Sequence, residues 1–268
     1  MKNACSSIKK FIFKWFRLVQ GSLYRRLCPF FPVQMIIAGK ISLFLDNKYA
    51  IAHFSEIFAS RAYYPAIELF KKPPKVVLDL GACQGFFTLL VETNRIQRFP
   101  DAKIDYVLYE ANPKMIKTIK RNVILTDIKD NIHVYCGVVG KRSGDVNFSV
   151  CKKLDCSSIT PFYAVRKHIK TSYMDIMQNL AEDKLGMPEL IKIDIEGSEN
   201  DLFENYQELL SKACVVVLEY HSYPVGYKEW QELIGKIGLE IYEITEKIGT
   251  ALNIVLLNKN NLDRHNTR

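Results

Sequence analysis

The sequence predicts an α/β fold, a mostly parallel doubly wound sheet that ends in an antiparallel hairpin, with an N-terminal helical and β-hairpin extension. Three observations predict it. From Lys75 onward, β-rich runs alternate with helical segments, the pattern of parallel strands joined by crossover helices. The first of these runs opens into a glycine turn, Gly81-Ala82-Cys83-Gln84-Gly85, of the kind that passes a strand into a helix N-terminus. The chain then ends in two further β-rich runs, 239–244 and 251–257, arranged around Lys247-Ile248-Gly249-Thr250 as an antiparallel pair.

The 268 residues are 48% hydrophobic and 25% charged, enough to bury a full core and unlike a disordered or fibrous chain. The net charge of +8 has one source. Residues 1–40 hold Lys2, Lys9, Lys10, Lys14, Arg17, Arg25, Arg26 and Lys40 and no acid, so the remainder balances. A neutral body argues against a nucleic-acid-binding face on the main domain. The seven cysteines are scattered without a CxxC pair, which indicates neither a disulfide framework nor a zinc site and fits a reducing cytoplasm.

Residues 1–39 read as a basic amphipathic extension. Over 6–28, Ile8, Phe11, Ile12, Trp15, Phe16, Leu18, Val19 and Leu23 share one helical face, opposite Lys10, Lys14, Arg17 and Arg25. Two readings stay open: peripheral attachment to an anionic membrane surface, or a helix packed on its own domain with its basic face solvated. A spanning helix is not expected, because the longest uncharged run, 27–39, is short and broken by Pro29 and Pro32. Lys14 and Arg17 interrupt the apolar stretch that a cleaved signal peptide needs.

A lead-in over 40–74 follows. Runs 40–45 and 48–53 flank Asp46-Asn47 as a hairpin, and a helix over 55–70 stops at Lys71-Lys72-Pro73-Pro74. The main domain occupies 75–258, with strands at 76–80, 104–109, 132–138, 190–194 and 214–219 and helices near 85–95, 113–125, 174–183 and 199–210. Segment 145–150 adds a strand, and the region to Thr171 a loop. Residues 259–268 form a polar tail.

The chemistry gathers at the carboxyl ends of the strands, where open α/β sheets bind ligands. Gly81 and Gly85 permit positive φ and close ligand approach, but Cys83 takes the place of the middle glycine of a dinucleotide motif. Glu110, ending the second strand in Tyr109-Glu110-Ala111-Asn112-Pro113, can accept both ribose hydroxyls. The fourth strand runs Ile191-Lys192-Ile193-Asp194-Ile195-Glu196-Gly197-Ser198-Glu199, whose alternation would place Asp194 and Glu196 on one side. The fifth ends in Glu219-Tyr220-His221, so Asp194, Glu196, Glu219 and His221 are expected to meet in one crevice.

The runs DLGACQGFFTLL, YEANP, LIKIDIEGSE and VVLEYH, in this order and spacing, resemble the FkbM family of methyltransferases over residues 55–257. That resemblance implies a Rossmann-like class I methyltransferase fold and methyl transfer from S-adenosylmethionine to an oxygen, most often a sugar or polyketide hydroxyl. It places the cofactor against Asp79, Gly81, Ala82, Gly85, Phe86, Thr88, Glu110, Asn112 and Val138. The family favours Asn where Cys83 stands and an apolar residue where Gln84 stands; neither change removes a glycine.

Deprotonating an alcohol needs a base, for which Asp194 and His221 are the candidates, with Glu196 orienting the acceptor or structuring the loop. No metal is assigned, although a divalent cation bridging Asp194, Glu196 and Glu219 is a less favoured alternative. A small-molecule or glycan acceptor is expected, and no nucleic acid; residues 151–171 and 221–228 are expected to line its pocket. The competing readings are a catalytically silent module for membrane or glycan attachment and a nicotinamide-dependent oxidoreductase. The intact glycine turn with Glu110 disfavours the first, and the missing middle glycine with the terminal hairpin disfavours the second.

Overall fold

A computed structural model of the chain describes residues 33–38, 41–45, 48–60, 62–124, 126, 128, 131–151, 165–221, 227–248 and 251–267. The amphipathic segment 6–28 lies outside these residues. The lead-in begins with β1 (Val33–Ile37) and β2 (Ile41–Leu45), an antiparallel pair running from Ile37↔Ile41 to Val33↔Leu45. The hairpin therefore precedes the expected position by one strand. Residues 48–53 instead belong to helix α1 (Lys48–Phe54). Ala50, Ile51 and Phe54 are all buried there, a spacing of one and four that fits a helical face as well as a short strand.

The expected helix over 55–70 is divided into a π-helical segment, Ser55–Ala59, and α2 (Tyr64–Glu68). Pro65 explains the division: without an N–H it is tolerated in a first turn, so the helix restarts around it.

The main sheet is built from β3 (Val76–Leu80), β4 (Asp105–Glu110), β5 (Ile132–Cys136), β9 (Leu190–Ile193), β10 (Val215–His221), β11 (Glu240–Ile248) and β12 (Ala251–Leu257). Their order is β11-β12-β10-β9-β3-β4-β5. The strands from β10 to β5 are mutually parallel, whereas β12 runs antiparallel to both β10 and β11. This is a Rossmann-like sheet with the expected closing hairpin. The chain leaves β3 for β4 on one side and returns to β9 on the other, so a topological switch point lies between β3 and β9.

Helices α3 (Phe86–Arg98) and α4 (Pro113–Ile124) follow β3 and β4; α5 (Ile176–Glu182), α6 (Glu199–Asn205) and α7 (Gln207–Lys212) flank β9. Alternation along the strands sorts the core into two faces. Val77, Val215 and Val217 join the lead-in and α3 and α4. Val76, Leu78, Val216, Leu218 and Tyr220 join α5, α6 and α7 together with α8 (Tyr227–Lys236). Helix α8 was not among the expected elements; it is fixed by the fully buried Trp230, stacked on Tyr220 with ring centroids 4.7 Å apart.

Three further strands, β6 (Val138–Val139), β7 (Asp145–Cys151) and β8 (Val165–Met174), make a separate sheet of order β6-β8-β7. A strand thus begins at Val165 where a loop to Thr171 was expected. The exposed Lys167, His168 and Lys170 among its residues obscure a period-two pattern in which Ile169 and Tyr173 pack beside Val138, Phe148 and Val150. Helix α9 (Lys259–Thr267) occupies the polar C-terminal stretch. It is docked by buried Leu262 and by Asn266, which donates to Leu69 O at 3.2 Å and accepts from Lys71 N at 2.8 Å.

Candidate active site

Gly81, at the end of β3, has φ +73°, and a Cβ there would lie 1.8 Å from the carbonyl oxygen of Asp194. The close approach that excludes a side chain is therefore made by the end of β9. Gly85 has φ +76°, but its Cβ would meet only the Ile119 and Leu108 side chains, at 3.6 Å and beyond. The expectation that Gly85 clears a path for a ligand is corrected: its hydrogen is turned toward the core, and left-handed backbone is what it supplies. Cys83 is also left-handed, at φ +49°. Its N–H donates to Glu110 Oε2 at 2.8 Å, while Asn112 N–H donates to Oε1 at 2.7 Å.

Glu110 thereby ties the glycine turn to the end of β4 and keeps lone pairs on both oxygens for further donors. Burial pushes its carboxyl up to about 7, against the pull of the Asn112 and Cys83 N–H groups. Gly81, Cys83 and Glu110 are partly exposed. The remaining residues of the expected cofactor set support this rim from behind. Asp79, fully buried, accepts from Thr88 Oγ1 at 3.0 Å; Ala82 and Phe86 are buried. Asn112 caps α4 through Lys114 N–H, and Val138 packs with Phe148 and Val150 beside Ala111.

The second half of the site adjoins the first at the switch point. Asp194 directly follows β9, and its N–H donates to Leu80 O at 3.1 Å. Beyond it the strand geometry ends, because Glu196 and Gly197 have φ +53° and +94°. The expected alternation of Asp194 and Glu196 on an extended strand is therefore corrected. Glu196 reaches the cluster through a left-handed turn, with Oε2 3.5 Å from His221 Nε2. Glu219 and His221, two apart on β10, share a face, and Glu219 Oε1 is also 3.5 Å from Nε2. One functional atom each of Asp194, Glu219 and His221 lie within 4.8 Å of one another. The four residues expected to converge do so.

Two participants were not anticipated. Glu199, 1% exposed, lies with Oε1 3.1 Å from His221 Nδ1 and also accepts the Gly197 N–H. In sequence it was legible only as an acid in a helical first turn. Lys192, 2% exposed, was read as the polar member of an alternating strand.

Electrostatics assign different states to these groups. Burial pulls the His221 imidazole down, but Glu199 and Glu219 outweigh it and hold the ring protonated, up to about 11. Burial and the Asp194 charge push the Glu196 carboxyl up to about 9, with His221 opposing; burial and Asp194 push Glu219 upward as well. Two lead-in residues lie within the field of this centre. Burial and Lys192 lower the His53 imidazole to about 4, and its ring lies 5.2 Å from that of Phe86. Buried Tyr63 lies in the field of Asp194, Glu219 and Glu56. Residues 152–164 and 222–226, most of the two segments expected to line the acceptor pocket, lie outside the described residues.

A family model described as the methyltransferase FkbM domain matches residues 79–246. Among solved structures, the chain is similar to the methyltransferase FkbM of Methylobacillus flagellatus KT, at 15% identity and a TM-score of 0.50 over 78% of this chain and 52% of that one. It is also similar to TrmK of M. capricolum, solved in complex with S-adenosyl-homocysteine, at 11% identity and a TM-score of 0.45 over 75% and 69% of the two chains. For the precorrin-6y C5,15-methyltransferase of Geobacter metallireducens GS-15 the values are 13%, 0.41, 72% and 85%. At such identities the likeness is one of fold. No curated protein matches the chain.

Proposed function

Because the chain belongs to the FkbM methyltransferase family, we propose that its strand-end cluster receives a sugar or glycan hydroxyl and that the product is an O-methyl ether. The chain is an S-adenosylmethionine-dependent methyltransferase. The residues present fit that cofactor: a partly exposed glycine turn for the aminoacyl end, and beside it a carboxylate, Glu110, with lone pairs available to ribose hydroxyls. When bound, S-adenosylmethionine supplies a methyl group already activated on a sulfonium. The protein's part is then to align a nucleophile and take its proton.

The observation that carries the proposal is the contact between the two halves. The Asp194 backbone lies against Gly81 while its side chain, 22% exposed, faces Glu219 and His221. A proton acceptor thus shares a wall with the donor cradle. Of the two candidate bases, Asp194 takes the role, because a His221 held protonated by Glu199 and Glu219 has no free lone pair at neutral pH. His221 instead balances the surrounding carboxyl groups. Glu196, pushed toward its protonated form, can both donate to and accept from hydroxyls, which suits an acceptor with several of them. The surplus of carboxyl groups is a poor match for phosphodiesters and supports an acceptor other than nucleic acid.

The test is turnover, read as S-adenosylhomocysteine release with mono- and oligosaccharides offered as acceptors. Asp194→Asn keeps the shape and removes the proton acceptor, so kcat is expected to fall about a hundredfold or more while donor affinity stays within about twofold. Wild-type turnover by Asp194→Asn on a verified acceptor removes the base assignment, and a methylamine product removes the oxygen acceptor. Loss of turnover on chelation, restored by magnesium, would replace the metal-free arrangement.

A further inference from the structure

Lys192 is the only lysine among the fully buried large side chains of the described residues, and it stands on the central strand β9, directly below the site. Its ammonium donates to the carbonyl oxygen of Gly81 at 2.9 Å and to Asp194 Oδ2 at 3.2 Å, and lies 3.6 Å from Asp79 Oδ1. Two of its N–H donors thus meet oxygens, one from the donor turn and one from the base, while a third oxygen, at the end of β3, stands at ion-pair distance. Burial alone would strip the charge from this amine, but Asp194 and Asp79 outweigh it and keep the ammonium protonated. Asp79, raised by its own burial, leaves Asp194 as the principal counter-charge. Other titratable groups whose fields involve Lys192 are Glu219 on β10, Glu110 on β4 and His53 of the lead-in.

We infer that Lys192 is a positioning residue for methyl transfer: by bridging the Gly81 carbonyl and one oxygen of Asp194, it sets the base in register with the donor turn. The inference rests on Asp194 being the base. The bridge fixes Oδ2, so the carboxylate cannot rotate freely and Oδ1 remains for the acceptor hydroxyl. A base held by one oxygen against the cradle of the methyl donor keeps proton acceptor, nucleophile and methyl group in one alignment, and alignment of that kind is lost by displacements of about 1 Å. Lysine suits this position better than arginine. A compact ammonium can satisfy three converging oxygens around one atom, whereas a planar guanidinium spreads its donors across a fork.

The test is Lys192→Met in the full chain, with turnover measured alongside the affinity of S-adenosylhomocysteine by calorimetry. The expected result is a fall in kcat of about a hundredfold, with S-adenosylhomocysteine affinity changed by no more than about threefold. Lys192→Met combined with Asp194→Asn should be no slower than Asp194→Asn alone, because the bridge acts only through the base. Methionine leaves Asp79 buried without its cation, so if the single variant does not fold, kcat at saturating donor is read for Asp79→Asn with Lys192→Met against Asp79→Asn alone. Retention of kcat within threefold overturns the inference. So does a loss that multiplies with that of Asp194→Asn, or a parallel collapse of donor affinity, which would mark Lys192 as a support for the turn alone. Failure of the base assignment is separable, since it appears as wild-type turnover in Asp194→Asn by itself.

Discussion

Glu110 shows how one side chain serves the fold and the ligand together. Its two oxygens hold the Cys83 and Asn112 N–H groups, and burial pushes its carboxyl up to about 7. A carboxylate accepts ribose hydroxyls better than the neutral acid does, so donor affinity should fall as pH falls through 7. Calorimetric titration with S-adenosylhomocysteine between pH 5.5 and 8.5 should show a loss approaching tenfold per unit on the acid side, and Glu110→Gln should flatten it. A wild-type affinity independent of pH would remove Glu110 from the ribose site. The position of Glu110 was legible because it ends a clear strand before a proline-initiated helix. Lys192 and Glu199 were not legible: a lysine alternating with isoleucines and an acid opening a helix are both ordinary solvated residues in sequence. Only the sheet order, which buries β9 between β3 and β10, gives them another meaning.

Among the elements, β3 and β12 match their expected limits because each is a short apolar run bounded by turn residues, whereas α1 does not. Its short apolar run is compatible with either period, and burial against α3 decides between them. The glycine turn gives the contrast that tests the joint between β3 and β9. Gly81→Ala places a Cβ within 1.8 Å of a backbone carbonyl that cannot rotate away, in addition to left-handed strain. It should cost more than about 3 kcal/mol. Gly85→Ala bears the strain alone, since its new methyl meets side chains at ordinary distance, and should cost about 1–2 kcal/mol. Urea denaturation of the two variants reads the difference. Equal losses would mean that β9 does not press on the donor turn as described.

At the scale of the whole molecule, the charge map divides the chain. An acid-free basic segment precedes a body in which acids and bases balance, and among the described residues no helix is long and apolar enough to cross a membrane. Read as a helix, the sequence would set Phe11, Trp15 and Phe16 opposite Lys10, Lys14, Arg17 and Arg25, an arrangement suited to the surface of an anionic bilayer, where each basic residue contributes about 1 kcal/mol. We propose that this segment brings the enzyme to such a surface, and the prediction separates that role from packing on the domain. The full chain should sediment with phosphatidylserine-containing vesicles at about 20 mM salt and be released as screening shortens the reach of the charges. Replacing Lys10, Lys14, Arg17 and Arg25 by Glu should leave the protein in the supernatant while turnover on a soluble acceptor is kept, because the strand-end cluster lies on other elements. If the wild-type chain ignores anionic vesicles at low salt, where attraction is strongest, the basic face is a solvated one and the segment serves the domain alone.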